Sequence, residues 1–129
     1  MSITIPDQYE IHRLAKEKGW YDGIDTNNLR FLPPDFIPAK LALIHSELSE
    51  ALEAYRKNGI PNVDGQEEVV MGQGSFQEEL ADAVIRIFDL AGLLRIQIGS
   101  CILEKHTYNR TRPHRHGGKV VYQMAVSTA

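Results

Sequence analysis

Two pairs of acidic residues stand inside otherwise apolar helical segments of the sequence. Glu47 and Glu50 form the first pair, Glu79 and Asp82 form the second, and both pairs have i, i+3 spacing. Residues at this spacing lie on one face of an α-helix, about 60° apart in projection. Apolar residues flank both pairs, so the carboxylates lie at the edge of an apolar stripe, whereas solvated charges normally lie opposite it.

Antiparallel packing of the two helices would bring the four carboxylates together. Like charges at short range repel, and removal of water makes the repulsion stronger. Mg²⁺ or Mn²⁺ would resolve this conflict, because hard divalent cations take oxygen ligands. The pattern therefore predicts a metal site formed by Glu47, Glu50, Glu79 and Asp82. The alternative is two ordinary acidic pairs that reach solvent.

Three other charged residues close to these acidic pairs could form ion pairs or take part in the site. Arg86 and Lys40 could each neutralise a carboxylate in an ion pair, and Arg86 could equally bind a phosphate beside the metal. Asp89 follows Asp82 by seven residues on nearly the same helical face, so it could extend the site. It could equally pair with Arg86 or Arg95.

A positively charged segment follows the last long helical stretch. Lys105, Asn109 and Arg112 lead into the run RPHRHGGK over 112–119, and we expect a basic loop and tail over 109–129. Arginine, lysine and glycine-exposed backbone amides suit a polyphosphate, and the asparagine could contact a sugar or a base. The alternative is a solvated basic tail.

Composition limits what these features can belong to. With 129 residues, 43% apolar and 24% charged, the chain predicts one globular domain over 1–129. A net charge of −3 is not typical of a protein that binds nucleic acid.

The lone Cys101, expected in the core, excludes an intramolecular disulfide and favours a reducing compartment. The N-terminus has no signal-peptide pattern and the apolar stretch 83–103 carries three charges, so we expect a cytoplasmic protein without a membrane segment.

Helical periodicity dominates the elements that must position these residues. It predicts a helix over 7–18, a second from Pro38 to about 58–59, and a third from a capping box at Ser75 to about 105–108. Unbroken, the third helix would be about 50 Å long, so a break is expected near Gly92 or 99–100. Loops connect the helices, over 20–38 with a short helix near 28–32, and over 60–74.

The third helix is apolar around nearly its whole circumference, which is typical of a central helix in a bundle. One chain offers few helices to cover it. We therefore predict an all-α, helical-hairpin bundle of about four helices that is completed by homodimerisation.

At these residues the sequence resembles the MazG-like, all-α nucleoside triphosphate pyrophosphohydrolase superfamily. The family pattern is E-x-x-E followed by E-x-x-D on the next helix, which matches Glu47, Glu50, Glu79 and Asp82 with 28 residues between the pairs. The flanking runs KLALIHSELSEALE and EELADAVIRIFD also match, and the resemblance covers residues 8–119.

The resemblance implies hydrolysis of a ribo- or deoxyribonucleoside triphosphate to the monophosphate and pyrophosphate. It implies Mg²⁺ held by the four carboxylates, an activated water as nucleophile, and a homodimer or homotetramer. Lys105, Asn109 and Arg112 would bind the nucleotide. Two alternatives stay open: the same fold acting on dUTP or phosphoribosyl-ATP, and a catalytically silent helical dimer that binds a nucleotide or a protein partner.

Base contacts vary across such families, so the resemblance offers His12, Trp20 and Tyr21 only as candidates. Trp20 could stack on a base, but it could equally anchor the packing of its loop. The sequence does not decide between these two roles.

Overall fold

The computed structural model of the protein describes residues 3–62, 64–65 and 68–114. Within these ranges the chain forms four α-helices and no strand, which confirms the predicted all-α class. A division between Ile96 and Gln97 separates two compact units, and each is described by itself. The helices are Gln8–Glu17 (α1), Phe36–Asn58 (α2), Phe76–Leu94 (α3) and Ile98–Thr111 (α4), and Leu29–Phe31 forms a 3₁₀ turn.

Local signals in the sequence account for where the first two helices begin and end. The Asp7 carboxylate accepts hydrogen bonds from the backbone amides of Tyr9 and Glu10, both at 2.9 Å, and so caps α1. The second helix begins at Phe36, two residues before the predicted start at Pro38, because proline is tolerated in the first turn of a helix. It ends at Gly59, whose φ of 70° suits glycine.

The predicted capping box at the start of α3 is present in part. The Ser75 hydroxyl accepts a hydrogen bond from the Glu78 amide at 3.2 Å. The Glu78 carboxylate accepts from the Gly74 amide, whereas the capping box would direct it to Ser75. The expected break in the long apolar stretch is also present, since α3 ends at Leu94, two residues after Gly92, and α4 begins at Ile98.

A close crossing of α1 over α3 explains why Gly92 does not break the helix. A Cβ atom on Gly92 would lie 2.6 Å from the Gln8 carbonyl oxygen and 2.7 Å from the Cβ of His12. The Gln8 side chain donates to the carbonyl of Ala91 at 3.2 Å and to that of Ile96 at 2.6 Å. The glycine therefore permits close packing, while Gln8 satisfies backbone carbonyls where α3 ends.

The helices α2 and α3 run antiparallel, and α3 packs against both α1 and α2. Lys40 near the start of α2 meets Asp89 near the end of α3, whereas Glu50 further along α2 meets Glu79 near the start of α3. The core of this unit is small and rich in alanine. Its buried apolar residues are Tyr21, Ile44, Ala51, Ala54, Ala83, Ala91 and Leu93.

The second unit contains α4, which reaches Thr111. Asn109 is therefore helical, although the sequence predicted a loop from this residue onward. The helix stops before Pro113, whose ring disfavours helical backbone in the preceding residue. Cys101 on α4 is exposed, so its expected place in a core was wrong. The rest of the predicted basic tail, 115–129, lies outside the described residues.

No helix in the described part of the chain combines the length and the apolar character needed to cross a membrane.

Candidate metal centre

Three of the four predicted carboxylates meet between α2 and α3. Glu47, Glu50 and Glu79 each offer an oxygen, and these oxygens all lie within 4.8 Å of one another. Glu47 is buried, Glu79 is half-buried and Glu50 is exposed. The Oε2 atom of Glu79 is shielded from solvent and finds no hydrogen-bond donor among the described residues. A buried acceptor without a donor beside two further carboxylates suits a cation.

Electrostatics inside this carboxylate group favour a bound positive charge. Burial raises the pKa of Glu79 to about 7, and the neighbouring carboxylates of Glu47 and Glu50 add to the rise. In the absence of a cation, Glu79 therefore holds a proton over much of the acidic range. A divalent cation would replace that proton and relieve the repulsion.

Asp82 lies one helical turn after Glu79. Burial raises its pKa, the charge of Glu47 raises it further, and Arg86 lowers it. Asp82 and Glu47 line the same cavity, which has a volume of about 380 Å³. The other residues that line this cavity are Pro6, Ile11, Leu14, Ala15, Lys18, Trp20, Ile85, Arg86 and Asp89.

Arg86 joins the carboxylate group to the wall of that cavity. Its Nε donates to Oε1 of Glu47 at 2.6 Å, and its guanidinium lies 5.0 Å from the ring centroid of Trp20. The sequence left open whether Arg86 neutralises a carboxylate, and the structure shows that it forms an ion pair with Glu47. Trp20 is 53% exposed, which leaves much of its indole accessible in this unit.

Asp89 does not pair with Arg86 or Arg95, which corrects one of the two interpretations drawn from the sequence. It accepts a hydrogen bond from the Tyr21 hydroxyl at 2.7 Å and lies 2.8 Å from Nδ1 of His12 and 3.4 Å from Nζ of Lys40. These four side chains are buried, and together they connect α1, the following loop, α2 and α3.

The four residues of this polar cluster affect one another electrostatically. Burial raises the pKa of Tyr21, and its hydrogen bond to Asp89 raises it further. The Lys40 ammonium lies 4.1 Å from the centroid of the Tyr21 ring, which adds a cation–π contact. His12 and Tyr21 are therefore bound inside the protein, which leaves Trp20 as the accessible member of the three base-contact candidates.

One signal in the sequence could have identified the cluster. Lys40 precedes Glu47 by seven residues and Asp89 follows Asp82 by seven, so each lies two turns along the carboxylate face. In an antiparallel pair these two shifts place Lys40 opposite Asp89. His12 and Tyr21 carry no such spacing signal, because they come from other elements.

The predicted nucleotide ligands Lys105, Asn109 and Arg112 lie on or directly after α4, in the second unit. Nζ of Lys105 is 4.8 Å from the ring centroid of Tyr108, and the guanidinium carbon of Arg112 is 5.8 Å from it. The end of this helix therefore carries a cationic group around one aromatic ring. A role in nucleotide binding stays a prediction for these three residues.

Comparison with protein families, with curated proteins and with solved structures found no significant match to this chain. The MazG-like resemblance therefore remains a prediction from the sequence motifs.

Proposed function

We propose that the protein is a Mg²⁺-dependent nucleotide pyrophosphohydrolase, which converts a ribo- or deoxyribonucleoside triphosphate to the monophosphate and pyrophosphate. The observation that carries this proposal is the Glu79 side chain, whose buried Oε2 has no donor among the described residues. The two residues grouped with it, Glu47 and Glu50, are also acids. A structural ion pair would instead have placed a cation at that oxygen.

The donor set fits a hard divalent cation. Glu47, Glu50, Glu79 and Asp82 offer only carboxylate oxygens, and Mg²⁺ prefers oxygen ligands shared with substrate phosphates. These four residues would hold it. When bound, such an ion polarises phosphate oxygens and lowers the pKa of a coordinated water.

The protein's own groups supply the remaining requirements of the reaction. The Arg86 guanidinium lines the cavity next to Asp82 and could face a phosphate without leaving Glu47. The half-exposed Trp20 offers a flat apolar surface in the same cavity.

We further propose that the active form is a homodimer or homotetramer in the cytoplasm. The support is the apolar surface that is exposed on α2 and α3 among the described residues. Exposed large apolar residues on these helices are Leu41, Leu48, Leu52, Tyr55, Leu80, Val84, Ile85 and Ile87. Surfaces of this kind mark contacts with another protein chain.

The experiment is a pyrophosphate-release assay with a panel of ribo- and deoxyribonucleoside triphosphates, dUTP and phosphoribosyl-ATP. We expect turnover with Mg²⁺ or Mn²⁺ and none after chelation by EDTA. Glu50→Gln and Asp82→Asn should each lower kcat at least about 100-fold, because each removes a charged ligand from the reacting centre. Circular dichroism should show an unchanged helical content.

Glu53→Gln is the matched control for this assay. Glu53 lies on the same helix as Glu50, is exposed, and forms an ion pair with Arg56 at 3.7 Å, so activity should persist. Absence of pyrophosphate from every substrate tested with either metal would refute the proposed activity.

A second candidate function is a non-catalytic helical dimer that binds a nucleotide or a protein partner. The observation that favours it is the Arg86–Glu47 ion pair, which neutralises one carboxylate without any metal. In that case Glu50→Gln would raise stability and leave divalent-metal affinity unchanged. Isothermal titration with Mn²⁺ distinguishes the two candidates, because the enzyme proposal requires the affinity to fall.

A further inference from the structure

A second cavity of about 300 Å³ lies beside α1, where α3 ends. Arg13 and Lys16 of α1 and Arg95 after α3 line it, together with the polar residues Thr26 and Asn27. We call it the cationic cavity. None of the predicted metal ligands lines it, and no acidic residue stands among its described lining residues.

The three cations of this cavity have no carboxylate partner within the described parts of the chain. The ion pairs seen there belong to other basic residues: His12 and Lys40 pair with Asp89, Arg56 with Glu53, and Arg86 with Glu47. Three like charges that line one cavity repel one another, and a bound anion would turn that repulsion into attraction.

Helix dipoles explain only part of this arrangement. Lys16 lies in the last turn of α1 and Arg95 directly follows α3, where positive charge is favourable in any protein. Arg13 stands in the middle of α1, so its place beside the other two needs a different reason. A shared anionic ligand supplies that reason.

Arg95 also has an unusual backbone conformation. Its φ of 56° places it in the left-handed region, where glycine or asparagine is favoured at the end of a helix. Arg95 adopts this conformation despite its side chain, and it lines the cavity. Strained residues of this kind cluster at ligand sites.

Uncharged groups complete the lining of the cavity. Thr26 and Asn27 bring a hydroxyl and an amide, and His12, whose Nδ1 lies 2.8 Å from Asp89, also lines the cavity. Hydrogen-bond donors next to guanidinium groups are the chemistry that binds oxyanions. Three positive charges suit a phosphate group, which carries about −1.5 to −2 charge at neutral pH, better than a single carboxylate.

We propose that the cationic cavity binds a phosphate group, supplied either by a free phosphate or pyrophosphate ion or by a nucleotide. The site is separate from the carboxylate group, so this proposal stands whether or not the protein hydrolyses nucleotides. Arg13, Lys16 and Arg95 provide the charge, and Thr26 and Asn27 orient the oxygens.

The test is isothermal titration of the full chain at fixed ionic strength in EDTA, so that no divalent cation can bring an anion to the carboxylates. Inorganic phosphate, pyrophosphate and a nucleoside monophosphate are titrated separately. We expect saturable binding of one anion per chain. Tightest binding of phosphate or pyrophosphate would identify a free ion as the ligand, and tightest binding of the monophosphate would identify a nucleotide.

Substitution of the arginines that line the cavity tests whether the anion binds there. Arg13→Gln and Arg95→Gln should each weaken the affinity about tenfold, since each removes a charge-assisted hydrogen bond. Arg30→Gln is the matched control, because Arg30 is an exposed arginine outside the lining residues. Glu50→Gln should leave phosphate affinity unchanged, which separates this site from the proposed metal centre.

Arg95→Gly separates a binding role from a structural one. Glycine relieves the left-handed strain, so the Tm should rise or stay level while phosphate affinity falls. The proposal is overturned if none of the three anions binds saturably, if Arg13→Gln and Arg95→Gln bind as tightly as the parent protein, or if Arg30→Gln weakens binding equally.

Discussion

At the scale of single residues, the main feature is a carboxylate group that is unfavourable to the folded chain on its own. Glu79 is held against Glu47 and Glu50, and one of its oxygens is buried without a donor among the described residues. Natural proteins retain such unfavourable groups at functional sites more often than elsewhere. Because the pKa of Glu79 is raised in the folded state, its effect can be measured as a dependence of the free energy of unfolding on pH.

The free energy of unfolding of the metal-free protein should fall as the pH rises from about 4.5 to about 7. Folding raises the pKa of Glu79 from 4.5 to about 7, so in this window the folded state binds more protons than the unfolded state. Stability is then lost with each proton released on the way to neutral pH. Urea denaturation at closely spaced pH values, in EDTA, measures the effect.

Glu79→Gln should remove most of this fall, and added Mg²⁺ should stabilise the parent protein increasingly above pH 7. Glu53→Gln, which changes an exposed acid on α2, should keep the parent's pH profile. A parent protein whose stability rises steadily between pH 4.5 and 7 would contradict the assignment of a raised pKa to Glu79.

At the scale of the elements, the crossing of α1 and α3 shapes two cavities at once. Gly92 lets the helices approach closely, and His12 on α1 reaches Asp89 one turn before that glycine. Asp89 lines the cavity next to the carboxylates, while His12 lines the cationic cavity. The spacing of α1 and α3 therefore determines the shape of both cavities.

Gly92→Ala should destabilise the first unit by about 1–3 kcal/mol, the usual result of overpacking. The added Cβ would lie 2.6 Å from a backbone oxygen of Gln8, which cannot move aside as a flexible side chain would. This outweighs the gain of about 1 kcal/mol that alanine brings to a helix. Thermal unfolding followed by circular dichroism measures the difference.

Gly99→Ala is the control for that substitution. A Cβ on Gly99 of α4 meets nothing within 4 Å, so stability should stay level or rise. An unchanged Tm for Gly92→Ala would show that α1 can shift away from α3 without loss.

At the scale of the whole molecule, the small core and the exposed apolar residues of α2 and α3 both favour association with a second copy of the chain. Among the described residues no large side chain is fully buried, and alanine supplies four of the seven buried apolar positions. Leu41, Leu48 and Tyr55 repeat at seven-residue intervals along one side of α2, and each is close to half exposed. A second copy of the chain would cover this stripe in the proposed dimer.

The double substitution Leu52→Glu with Val84→Glu should shift the protein to the monomer, because it places a charge among the exposed apolar residues of both α2 and α3. Light scattering coupled to size-exclusion chromatography measures the mass. Phe31→Glu is the control, since Phe31 is 72% exposed and lies outside α2 and α3. A parent protein that elutes as a monomer at micromolar concentration would rule out the dimer.

The helices and the two acidic pairs were predictable because both depend on short-range spacing. The signals for the helices lie within a few positions of the chain. They are the periodic apolar residues, the N-caps Asp7 and Ser75, and the C-terminal stop at Gly59. The pairs that begin at Glu47 and Glu79 share a helix face for the same reason. Some bounds of the helices were predicted less well, as the start of α2 at Phe36 and the end of α4 at Thr111 show.

The sequence itself determined the helical class and which acids share a face, since a helix repeats its geometry every few residues. The tertiary structure decided which charges meet, because the angle and register between helices depend on packing at distant positions. Arg86 on α3 pairs with Glu47 on α2, and Asp89 contacts His12, Tyr21 and Lys40, which come from three other elements. The cationic cavity likewise arises where the ends of α1 and α3 meet a loop, which no local pattern could reveal.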